Sequence, residues 1–133
     1  MNKEPYDASW HKEETYKSLI AYGHNAVKFV LLANGGALIA VLGLLGSMYS
    51  KSCSVLNLQG PASCFVVGVF LGGLGFTGAY LTQLTLYNES IGERDGTEKL
   101  NHMFWLWSTI SLVIVGVLIF LLGALWATSI LAS

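Results

Sequence analysis

Residues 29–48 read FVLLANGGALIAVLGLLGSM, twenty consecutive positions without a charge. A bilayer crossing takes about 20 predominantly apolar residues as helix, so this stretch decides the setting of the fold. Two further uncharged runs follow, at 52–88 and 103–133. The first of them opens with Asn57, Gln59, Gly60 and Pro61, which read as a loop, so its crossing is placed at 65–87. The last crossing is placed at 104–131 and the first at 27–49. The expected fold is an all-α membrane protein, with three transmembrane helices over 27–133 and an N-terminal segment, 1–26, continuous with the first span.

Composition agrees with the pattern. Of 133 residues 53% are hydrophobic and 11% charged, where a soluble domain carries about 25% charged residues. Seven Lys and Arg against eight Asp and Glu give a net charge of -1, so no basic footprint for nucleic acid exists. The partner named by this composition is the lipid bilayer.

Orientation follows from the cations, because short cytoplasmic flanks retain Lys and Arg. With three spans, the N-terminus and the second loop share a side that holds Lys3, Lys12, Lys17, Lys28, Arg94 and Lys99, while the other side holds Lys51. The N-terminus is expected in the cytoplasm and the C-terminus outside. Trp107 and Trp126, 19 residues apart, span roughly 28 Å as helix, close to a hydrocarbon thickness of about 30 Å, and so mark the two boundaries of the last span. The first 28 residues are studded with charge and lack an early apolar core, so the first span is expected to act as an uncleaved anchor.

Before that span, Asp7 or Ser9 can cap a helix with an apolar set at helical spacing, and Glu13 and Lys17 form an i,i+4 pair in the favourable order. Two arrangements fit: a continuous helix projecting into the cytoplasm, or an amphipathic segment on the membrane bent near Gly23. The mixture of acids and bases, with no polybasic face, favours the projecting helix.

The outer loop holds the two cysteines, Cys53 and Cys64. In an oxidising compartment they could close a loop worth about 3 kcal/mol in the chain-entropy model; two inert thiols are the alternative. Asn88-Glu89-Ser90 matches a glycosylation sequon that the expected topology places in the cytoplasm, where it is silent. His11, His24 and His102 lie on the inner side with a solvent or interfacial role expected, and no metal site is expected.

Small residues recur at helical spacing. Gly68, Gly72, Gly75 and Ala79 line one face of the second span; Gly36, Ala40, Gly43 and Ser47 line the first; Gly116, Gly123 and Ala127 line the third. In lipid, apolar side chains gain nothing by associating, so close backbone approach through small residues drives packing. Three such stripes exceed the need of one hairpin, and some are expected to serve contacts between subunits. Asn34, Gln83, Ser108 and Ser111 form an expected polar layer in the cytoplasmic third. Interhelical hydrogen bonding, at about 0.6 to 2 kcal/mol each, is the plainer reading; a polar constriction shared by several subunits is the other. Asn34 precedes two glycines, and Gln83 is its expected partner.

Apart from Lys28 at the inner edge of the first span, the spans carry no Asp, Glu, Lys, Arg or His as drawn. Proton-coupled transport, pumping and voltage sensing generally need one, paired-His haem anchoring needs histidines there, and nucleophilic catalysis needs a base. Neither an enzyme nor a cofactor is expected.

The segment 28–43, the run 70–78 leading into Ala79-Tyr80-Leu81-Thr82-Gln83, and a last span with Phe120 and Gly123 resemble a group of small multi-span bacterial and phage-associated membrane proteins. The shared look is the Asn34-Gly35-Gly36-Ala37 element in the first span and Tyr80-Leu81-Thr82-Gln83 closing the second. The resemblance implies a bacterial inner (plasma) membrane location, makes the amides of Asn34 and Gln83 structural signatures, and supplies no reaction. Together with the small-residue stripes it points to a homo-oligomeric, channel-like or membrane-perturbing effector of the defence or toxin type, triggered through its cytoplasmic face. A non-conducting anchor for a cytoplasmic protein partner and an immunity or exclusion protein are the alternatives.

Overall fold

The computed structural model describes residues 8–51, 56–90 and 102–132. They form three helices, α1 (Ala8–Ser50), α2 (Gln59–Ser90) and α3 (His102–Leu131), each long and apolar enough to cross a membrane. The chain is a small three-span membrane protein in contact with lipid.

At about 1.5 Å per residue, the 43 residues of α1 extend roughly 65 Å, twice the hydrocarbon thickness of about 30 Å. The helix runs unbroken through Gly23, so the N-terminal segment continues the first span. Its side chains from Trp10 to Asn25 are all exposed, and the expected Glu13–Lys17 pair forms, with Nζ 2.8 Å from Oε1 and a second contact to Glu14.

The start of α2 differs from expectation. Gln59, Gly60 and Pro61, read above as loop, are its first turn. A proline there loses nothing, since the first-turn N–H groups have no intrahelical partner, and the Gln59 N–H donates to Asn57 Oδ1 at 3.4 Å. Only Asn57 stays outside the helix.

Helix α2 is the centre of the bundle, antiparallel to both neighbours and packed most closely on α3. Its buried face is Pro61, Phe65, Gly68, Gly72, Gly75, Gly78 and Thr82, in steps of three and four residues. Side chains of the neighbours enter where glycine leaves room. Val27, Leu31 and Asn34 of α1 sit over Gly75, Gly72 and Gly68, and Thr109 of α3 sits over Gly78. These pairs fix the register: residues rise along α1 as they fall along α2. Helix α3 receives Val30 of α1 at Gly116, and Phe65 with Cys64 of α2 at Gly123.

Beyond this seam, towards the α1–α2 connection, Val41, Leu58 and Phe65 form an apolar cluster flanked by Leu38, Leu45, Phe120 and Ala124. The rings of Phe65 and Phe120 lie 6.0 Å apart. Leu58, just before α2, is 1% exposed and plugs this end.

Candidate functional site

The small-residue faces divide into two kinds. At Gly72 an added Cβ would lie 2.7 Å from Leu31 Cγ, at Gly78 2.5 Å from Thr109 Oγ1, at Gly116 2.6 Å from Val30 Cγ1, and at Gly123 2.9 Å from Phe65 Cε1. A Cβ at Gly68 would collide with the amide of Asn34, and one at Gly75 would touch Val27. These glycines are consumed by the chain's own packing. The α1 stripe is not: a Cβ at Gly36 or Gly43 meets nothing within 4 Å, and Ala40 and Ser47 are exposed. With Val27, Val30, Asn34 and Val41 facing inward, the helical repeat of about 3.6 residues turns Gly36, Ala40, Gly43 and Ser47 away from the bundle.

Asn34 is fully buried where the three helices meet. Its Nδ2 donates to Val30 O at 2.9 Å and across to Gly116 O of α3 at 3.4 Å. Its Oδ1 has no hydrogen-bond partner and lies against Gly68. The Gly68 hydrogen that a Cβ would replace points at this oxygen, giving a weak Cα–H···O contact in place of a full hydrogen bond. Asn34 therefore ties α1 to α3 and reserves position 68 for glycine.

The expected partner is elsewhere. Gln83 lies 15 residues beyond Gly68 on α2, roughly 22 Å along the axis, and its side chain is exposed. Depth counted from the span edges had put the two amides level; the register of Asn34 on Gly68 separates them. Ser108 is half-buried and Ser111 exposed, so the four residues do not form one layer within a chain. Most hydroxyls bond back to their own helix: Thr82 Oγ1 donates to Gly78 O at 2.8 Å, Thr85 to Leu81 O at 2.7 Å and Thr109 to Trp105 O at 2.9 Å.

Where the second and third helices approach the N-terminal side, Glu89 and His102 form a clasp that sequence reading missed. His102 Nδ1 lies 2.5 Å from Glu89 Oε2, and the His102 backbone N–H donates to Oε1 at 3.4 Å. A carboxylate at the first turn of a helix meets unpaired N–H groups and the positive end of the helix dipole, so Glu89 of α2 caps α3. The signal was available: an acid near the end of one helix and a histidine opening the next.

Cys64 is half-buried beside Gly123; Cys53, and with it the suggested disulfide, lies outside the described residues. Among the described residues no group of three His, Cys, Asp or Glu is placed to hold a metal ion. The chain matches no protein family, no curated protein and no solved structure.

Proposed function

We propose that the chain is a homo-oligomeric inner-membrane protein whose copies meet through the outward face of α1, and that the assembly is a channel-like or membrane-perturbing effector governed from its charged N-terminal side. The observation that carries this reading is the open stripe Gly36, Ala40, Gly43 and Ser47, left free by the chain's own packing. Small residues in steps of four and three allow two helix backbones to approach closely in lipid.

One chain has a filled core, with Val27, Val30, Asn34, Leu58 and Phe65 each at most 2% exposed. A conducting path would therefore run between copies and not through a single bundle. The gathering of six of the seven Lys and Arg on the N-terminal side supports a cytoplasmic location for it, and a defence or toxin role rests on the expected resemblance to phage-associated proteins alone. Induced expression is expected to depolarise the membrane, and Gly36→Leu with Gly43→Leu to abolish depolarisation at equal membrane abundance. A membrane potential indifferent to induction contradicts the effector reading.

A second reading, a non-conducting anchor for a cytoplasmic partner, is favoured by the exposed projecting part of α1, where His11, Lys12, Thr15, Tyr16 and Leu19 line a shallow hollow. Removal of residues 1–20 then abolishes recovery of the partner while membrane insertion persists. The immunity or exclusion reading needs a free packing face, and here too α1 supplies it. Gly72, buried against Leu31, is unsuited to such a test because its replacement disrupts the fold itself.

A further inference from the structure

We propose that residues 10–22 of α1 are a strap that closes onto the ends of α2 and α3 by bending at Gly23, seating Ile20 over Thr82 and Tyr16 between Leu86 and His102. Val27 sits on Gly75 of α2 and Val30 on Gly116 of α3. Ile20 lies seven residues before Val27 and Thr82 seven after Gly75; Tyr16 lies eleven before Val27 and Leu86 eleven after Gly75. At about 1.5 Å per residue, equal counts put each pair at one height in an antiparallel packing. On α3, His102 precedes Gly116 by fourteen residues, as Tyr16 precedes Val30. This part of α1 therefore runs at the height of the last turns of α2. Every side chain from Trp10 to Asn25 is nevertheless exposed, so the helix leans away from the bundle there.

Contact between α1 and α2 reaches as far as His24, whose ring lies edge-on to Phe76 with centroids 5.5 Å apart. Val27 and Leu31 beyond it are fixed on their glycines. Gly23 is the next residue towards the N-terminus, and a Cβ there meets nothing within 4 Å. Glycine holds a helix interior less firmly than any residue but proline, so a bend between the fixed and the free part of α1 falls at this position.

The facing surfaces match. Ile20 and Tyr16 continue the inward line of Asn34 and Val27 in steps of seven and four, and at 41% and 45% they are the least exposed of the large apolar side chains before Gly23. Opposite them, Thr82 spends its hydroxyl on Gly78 O at 2.8 Å and Leu86 is half-buried, which makes an apolar seat. At its edge Lys17 and Gln83, both exposed, come level, each seven residues from the His24–Phe76 contact. Lys12, Glu13, Glu14 and Lys17 need water or headgroups around them, so this end of the bundle stands at the aqueous edge, where withdrawing Ile20 and Tyr16 from water favours closing. The bend in α1 opposes it. The strap gives the charged N-terminal side a moving part, and it stands whether or not the chain conducts.

The test uses the full chain in lipid nanodiscs, with Cys53→Ser and Cys64→Ser as background. Under mild oxidation Tyr16→Cys with Leu86→Cys is expected to form a disulfide within one chain, about tenfold faster than Tyr22→Cys with Leu86→Cys, because position 22 points away from the bundle. Gly23→Ala slows the first reaction about threefold, the helix preference of alanine over glycine. Equal rates for the two pairs, a cross-link found only between chains, or a rate indifferent to Gly23→Ala overturns the proposal. A second measurement leaves Tyr16 and Leu86 in place: electron–electron resonance between spin labels on Leu19→Cys and Leu84→Cys, both exposed positions, in labelled chain diluted with unlabelled chain. Two separations are expected, one for the open and one for the closed strap, and a single separation overturns the proposal.

Discussion

Asn34 and Gly68 act as one feature, because the amide occupies the space that a side chain at 68 would need. Gly68→Ala is expected to destabilise the bundle by about 1–3 kcal/mol, the usual cost of forcing atoms into a packed core. In an Asn34→Ala background the same substitution should cost much less, since the colliding amide is gone. A double-mutant cycle on unfolding in detergent measures this coupling; equal costs in both backgrounds would contradict it. Gly43→Ala provides the contrast: its new methyl group meets open space, and the change should leave the stability of a single chain undiminished. That Asn34 is a buried tie was legible from an amide followed by two glycines in an apolar run. Its contact with Gly68 was not, because periodicity places a residue on a face and at a depth but does not set the register between helices.

At the scale of elements, the three spans were legible from uncharged runs alone, and the inward face of α2 from glycines in steps of three and four. Equally regular stripes on α1 and α3 could not be sorted in the same way. Whether a stripe faces the bundle depends on which large side chains share its helix, and on α1 Val27, Val30 and Val41 claim the inward direction. The clasp at the α2–α3 ends leads to a prediction of its own. Glu89→Ala removes both the imidazole contact and the acceptor for the His102 N–H. Amide exchange in the first turn of α3 should then accelerate severalfold while the middle of α3 stays protected. Unchanged exchange in that turn would mean that the carboxylate does not cap the helix. Truncation of the projecting part of α1 before Lys17 should leave the bundle intact, since no described side chain from Trp10 to Asn25 is buried; a loss of thermal stability comparable to that of Gly68→Ala would contradict this.

For the whole molecule, charged side chains other than Lys28 lie towards the helix ends, and among the described residues the packed interior is apolar apart from Asn34 and Thr82. Apart from Gly73, helices α2 and α3 spend their glycines on each other and on α1, while α1 keeps a small-residue face turned away from the bundle and a charged extension beyond it. On this account the face is where copies meet. The most direct test is the mass of the assembly in lipid nanodiscs, for the unaltered chain and for Gly36→Leu with Gly43→Leu. The account predicts an oligomer for the first and a monomer of unchanged helix content for the second. A monomeric unaltered chain, or an oligomer that persists in the double variant, would contradict it.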